Sequence, residues 1–172
     1  MKDGKRALRA RLLDLVTDWD RMDRTFPSHN ELESIGRALL EWKKEENIQG
    51  LWDVPPLIIS TTIDDGLGQG LRIVNLYSEV AGLVVMPIGL LQPLEKIIAA
   101  CNKNCPDILG LTVLQFDSEE MLIEIKRGIS PDIKIIAGGP VFTADSDFAE
   151  RVGIHFVAKN VAAYLRYLLQ NV

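Results

Sequence analysis

From residue 57 onward the chain alternates between two textures, and this constrains its fold more than any other feature. Short runs rich in Ile, Val and Leu, "LIISTT", "GLVVMPI", "DILGLTVL", "IKIIAGG" and "IHFVA", are separated by helix-patterned stretches at about 69–81, 92–104, 118–129, 145–152 and 160–170. Short apolar runs of this kind read as strands buried on both faces. Strands separated by helices form βαβ units, which build a parallel sheet. The expected fold class is therefore α/β with five parallel strands. In an open sheet of this kind the ligand lies outside the carboxyl ends of the strands. The loops that matter are then "TTIDDGLGQG", "MPIG", "TVLQFD", "GGPVFTAD" and "AKN".

The first fifty residues differ. Residues 5–26 carry Leu8, Leu12, Leu15, Val16, Trp19 and Met22 at helical spacing, with Arg and Asp opposite. A second helix follows, capped by Ser28 or Asn30, with Glu31 and Glu33 in its first turn. Leu32, Ile35, Leu39, Leu40 and Trp42 form its apolar face, and Gly50 is expected to stop it. Trp19, Trp42 and Trp52 are expected in the core of the helical part or on its docking surface. "NIQGLWDVPP" then breaks the pattern, because Pro55 and Pro56 cannot continue a helix. The expected domains are a helical hairpin or partial cap over 1–50 and an α/β domain over 51–172.

A net charge of −5 argues against nucleic acid as a partner. No apolar run reaches bilayer length, and residues 1–16 lack the long apolar segment and small-residue cleavage site of a signal peptide, so a cytoplasmic protein is expected. Cys101 and Cys105 would share a helix face, but two thiols without further ligands read as reduced cysteines rather than a metal site.

The loop "DDGLGQG" places Gly66, Gly68 and Gly70 after Asp64 and Asp65. Glycines let a backbone approach a ligand closely, and a helix N-terminus attracts anions. The order is not G-x-G-x-x-G, however, and no Gly-Lys-Ser/Thr is present. The two aspartates, adjacent in extended chain, point apart. The histidines are His29 and His155, and no hydrolytic constellation is visible.

Residues 57–172 resemble the cobalamin-binding domain of methionine synthase, corrinoid methyl-carrier proteins and cobalamin mutases. That family has D-x-H-x-x-G after strand one, S-x-L after strand three and G-G after strand four. Here the first motif reads Asp65, Gly66, Leu67, Gly68, Gln69, Gly70, with Leu67 where the histidine stands. The second reads Thr112, Val113, Leu114, and the third is Gly138-Gly139. The spacings between the motifs agree with the family's.

The resemblance implies a flavodoxin-like (Rossmann-like) sheet of order 2-1-3-4-5 with an N-terminal helical segment, and cobalamin or another corrinoid as cofactor. It implies cofactor contacts at Asp65, Gly66, Leu67, Gly70, Thr112, Leu114, Gly138 and Gly139. The nucleotide tail would enter a channel beside the glycines, Thr112 would offer it a hydroxyl, and no protein nitrogen would ligate cobalt from below. His29 is a candidate upper ligand. The implied function is a methyl-group carrier working with methyltransferase partner proteins, with no catalytic residues of its own. The alternative is a domain that has lost the cofactor and serves as an interaction or sensory module.

Overall fold

The computed structural model describes residues 2–22 and 26–171. Residues 23–25, within the segment expected to be the first helix, lie outside the described residues. Strands β1 (Leu57–Thr62), β2 (Val84–Pro87), β3 (Ile108–Thr112), β4 (Lys134–Gly138) and β5 (Phe156–Val157) form one parallel sheet in the order β2-β1-β3-β4-β5. This is the flavodoxin-like order that the resemblance implied. The helices are α1 (Lys2–Arg21), α2 (His29–Glu45), α3 (Gln69–Ala81), α4 (Leu94–Asn104), α5 (Glu119–Gly128), α6 (Val141–Ala144), α7 (Phe148–Arg151) and α8 (Val161–Gln170). Among the described residues no helix is long and apolar enough to cross a membrane.

The chain divides into two compact units that are not consecutive in sequence. One comprises the chain up to Pro56, Arg72–Val84 and the segment from Asn160; the other comprises Leu57–Leu71 and Val85–Lys159.

In the helical unit, Leu8, Leu12, Val16 and Trp19 are buried at helical spacing on α1, whereas Met22 lies beyond the helix and is exposed. Arg9 donates to the Leu169 carbonyl and Arg166 pairs with Asp20, tying α8 to α1. Ser28 caps α2 in a reciprocal box with Glu31, and the Ser28 hydrogen bonds hold the Glu31 carboxyl below its usual range. Trp42 is not core: it is half-buried and the Arg11 guanidinium stacks on its ring at 4.4 Å. Trp52 is half-buried as well. Gly50 does not stop α2, which ends at Glu45 with Asn47 in a left-handed turn. Gly50 is instead where two backbones touch, since a Cβ there would lie 2.7 Å from the Gly82 Cα.

In the sheet unit, Ile59, Leu109, Leu111, Ile135 and Ala137 join Ile97, Cys101, Leu122 and Ile125 of α4 and α5 in one buried core. Cys101 and Cys105 do not share a helix face. Cys101 is buried, and burial pushes its thiol up to about 11; Cys105 is exposed at the left-handed cap that ends α4. The expected helix over 145–152 is replaced by α6 and α7, because the Asp145 carboxylate accepts the Asp147 N–H and turns the chain between them. His155 lies just before β5, and its Nδ1 accepts the Ile135 N–H.

Candidate functional site

Strand register brings two of the three motifs into one row. Thr62 of β1 pairs with Thr112 of β3, which pairs with Gly138 of β4, all at the carboxyl ends of their strands. One row deeper lie Ser60, Gly110 and Ile136. Alternation puts these positions on the sheet face opposite Ile59, Leu109 and Ile135, which belong to the buried core. Both rows are narrow: apart from Ile136, no side chain in them is larger than threonine. They form a strip of small and hydroxyl-bearing residues leading to the sheet edge where this class of fold binds ligands.

The loops above the strip are held by the two aspartates, which act separately. The Asp64 carboxylate reaches the β3 loop, where it accepts the Leu114 N–H at 2.8 Å, the Gln115 N–H at 2.9 Å and the Ser118 hydroxyl at 2.9 Å. Asp65 is buried and closes its own loop, its Oδ1 accepting the N–H groups of Leu67 at 2.9 Å and Gly68 at 3.0 Å. Thr62 locks a third loop: its Oγ1 donates to the Asp65 carbonyl and accepts the Leu91 N–H. The β1, β2 and β3 loops are therefore preset by hydrogen bonds from one strand end. Thr62 and Leu91 were not singled out from the sequence, and Asp64 stood out there only as one of two adjacent aspartates that point apart. The alternation of β1 was the signal for Thr62; the motif resemblance set Asp65 apart, but nothing in sequence announced that Asp64 reaches the β3 loop.

The glycines of the loop have different reasons. Gly68 has φ +62, and a Cβ there would lie 2.5 Å from Leu90. A Cβ on Gly66 would touch Leu91 at 3.6 Å. At Gly70 a Cβ would meet nothing within 4 Å, so this glycine faces open space. Gly138 is close to the Ala158 carbonyl, with 3.0 Å from a built Cβ, and Gly139 admits no side chain at all, since its Cβ would lie 1.8 Å from the Val113 carbonyl oxygen. Gly139 is required by the turn, whatever else it does.

Around the strip the loops expose apolar side chains: Leu67 (74% exposed), Leu90, Leu91, Leu114 and Phe116. Leu91 holds φ 52, an uncommon conformation for leucine. His29, the first residue of α2, is exposed and belongs to the helical unit. A large flat cofactor with a polar tail fits these features. The apolar loops suit a macrocycle, the strip carries hydroxyl groups suited to a polar tail, and the buried Ser60 hydroxyl has no hydrogen-bond partner in the protein.

The sequence pattern of the B12 binding domain matches residues 57–164. Among solved structures, a cobalamin-binding protein from Desulfitobacterium hafniense is 19% identical with a TM-score of 0.83, over 100% of this chain and 84% of that one. The monomethylamine corrinoid protein of Methanosarcina barkeri is 19% identical with a TM-score of 0.64, over 83% of this chain and 66% of that one. The methanol:cobalamin methyltransferase complex MtaBC of Methanosarcina barkeri is 19% identical with a TM-score of 0.61, over 99% of this chain and 69% of that one. At such identities the likeness is one of fold. No curated protein sequence matches the chain. The match over residues 57–164, on a sheet of this order, makes the chain a member of the B12-binding domain family, whose cofactor class is cobalamin or another corrinoid.

Proposed function

We propose that this chain binds a corrinoid over the carboxyl end of its sheet and serves as a methyl-group carrier for a corrinoid-dependent methyltransferase system. The observation that carries the reading is the row Thr62, Thr112 and Gly138, flanked by preset loops and by Gly70 facing open space. The bound group would supply a cobalt centre able to take up and release a methyl group, chemistry that belongs to the cofactor.

The residues divide the remaining work. Thr112 offers a hydroxyl to the tail at the head of the strip, and Gly138 leaves the neighbouring position free of a side chain. Asp65 spends its carboxylate on the Leu67 and Gly68 N–H groups, so the loop keeps its shape without a histidine to orient. Leu67 stands at the family's histidine position and offers no nitrogen, so the tail would bind detached from cobalt with no protein ligand beneath it. Leu67, Leu91 and Leu114 expose apolar surface that would pack against a bound macrocycle and keep water from it. The methyl donor and acceptor would be handled by partner methyltransferase proteins, in keeping with the company of the methanol:cobalamin methyltransferase complex among the similar structures.

The test is direct. The protein is mixed with hydroxocobalamin, passed through gel filtration and read by visible absorption. Corrinoid colour eluting with the protein in stoichiometric amount supports the reading. Colourless protein overturns it in favour of an interaction module.

A further inference from the structure

Ser60 is a hydroxyl-bearing residue of the strip that the family motifs leave out. It is fully buried, and its Oγ has no hydrogen-bond partner. Its neighbours on β1 differ: Thr61 Oγ1 donates to the Gly89 carbonyl and Thr62 Oγ1 to the Asp65 carbonyl. Asn75 Oδ1 on α3 is the other such unpartnered atom among the described residues. A buried polar group without a partner is destabilising, and it asks for a water or a ligand.

The position of Ser60 says what kind of ligand. It lies two residues below Thr62, about 6.6 Å deeper along the sheet. Its row mates are Gly110 and Ile136, and Ile58 and Ile108 lie beneath. Backbone groups of these strands are engaged in the ladders. At this depth Ser60 therefore presents the one side-chain hydrogen-bonding group of β1, β3 and β4 on that face. A Cβ on Gly110 would meet the Ile58 side chain at 3.3 Å, so a tail entering from the carboxyl end would stop at this depth, with its terminal group, in a corrinoid the heteroaromatic base, near Ser60.

Building on the corrinoid-binding reading, we propose that Ser60 selects the base of the corrinoid tail and favours one with a polar edge, such as adenine, over 5,6-dimethylbenzimidazole. The outer edge of dimethylbenzimidazole carries two methyl groups and leaves the Ser60 hydroxyl unpaired. A purine edge carries ring nitrogens and an exocyclic amine that pair with it. An unpaired polar group inside a binding site is a strong source of discrimination.

The experiment compares three corrinoids on the wild-type protein and on Ser60→Ala: cobinamide, which has no base, cobalamin, and a cobamide carrying adenine. Affinity is read by equilibrium binding, and folding by thermal melting of the ligand-free proteins. The wild type is expected to bind the adenine form about tenfold more tightly than cobalamin, one hydrogen bond's worth. In Ser60→Ala that ratio falls to within about twofold, with cobinamide affinity unchanged. The ligand-free variant melts no lower than the wild type, because the substitution removes an unpaired hydroxyl. Identical affinities of the two proteins for all three corrinoids would mean that a water satisfies Ser60, and would overturn the proposal while leaving corrinoid binding intact. A wild-type preference for cobalamin overturns it equally. Failure of both proteins to bind any of the three overturns this proposal and the corrinoid reading together.

Discussion

Asp64 is the residue whose removal tests the architecture of the site most sharply. Its carboxylate joins the β1 loop to the β3 loop through the N–H groups of Leu114 and Gln115 and the Ser118 hydroxyl, all at 2.8–2.9 Å. A hydrogen bond to a charged group contributes about 1.5–3 kcal/mol. The donors at 114 and 115 belong to exposed residues and regain water when the carboxylate is gone, which removes roughly half of the gross value. Asp64→Ala should therefore cost about 2–4 kcal/mol, a large part of the roughly 5–15 kcal/mol that keeps a domain folded. Asp64→Asn should recover less than half of the loss. Its one carbonyl oxygen serves one of the two N–H groups, and its amide opposes the other donor. The assay is urea unfolding followed by far-ultraviolet circular dichroism, where a loss of this size moves the midpoint by about 1–2 M. The same variants should hold corrinoid less tightly, because Thr112 and Leu114 sit at the other end of the staple. A midpoint shift of Asp64→Ala below about 0.3 M would refute the reasoning, since it would mean that the three bonds contribute nothing net.

Three further outcomes are expected. Gly139→Ala puts a methyl group 1.8 Å from the Val113 carbonyl oxygen at φ +138, so soluble folded yield should collapse or the melting temperature fall by the equivalent of at least about 3 kcal/mol; a variant melting like the wild type contradicts the close approach. The His155 imidazole titrates below its usual value through burial and the nearby Lys126 and Lys134 cations, so its stabilisation is present above the ordinary histidine pKa and is lost as pH falls through the lowered folded value. Urea midpoints measured from pH 7.5 down to 5 should fall in the wild type and fall less in His155→Gln, and parallel curves would argue against it. Leu67→His should place an imidazole nitrogen beneath cobalt. Paramagnetic resonance of the cobalt(II) state then shows coupling to one axial nitrogen in the variant and none in the natural protein; coupling in the natural protein would point to another ligand, with His29 the first to test.

The sheet was legible because its central strands, β1, β3 and β4, are buried on both faces and cannot hide their composition, whereas β2 and β5 are only partly buried. The five apolar runs and most of the helical stretches between them follow from burial and from the crossovers that parallel strands need, while the order 2-1-3-4-5 came with the family resemblance. The first fifty residues read as helices for the same kind of reason, a 3.6-residue apolar period, and Ser28 with Glu31 marks the start of α2 by local chemistry alone. Misreadings clustered where backbone geometry overrides residue type. Gly50 looked like a helix stop and proved to be a backbone contact with Gly82, which no local pattern announces. Trp42, expected in the helical core or on its docking surface, is half-buried with the Arg11 guanidinium on its ring, a contact no local pattern announces.

The site divides along the same line. The sequence by itself determined which strand ends carry the motifs, and that position 67 is a leucine. Only the tertiary structure decided that Thr62, Thr112 and Gly138 stand in one row, because register is a property of strands paired across long stretches of intervening chain. It also decided that Asp64 and Asp65 serve different loops, that Gly68 yields to Leu90 while Gly70 faces open space, and that Ser60 is buried without a partner. Each of these depends on which atoms long-range pairing brings within about 3 Å, and a linear pattern carries the residue types but not those distances.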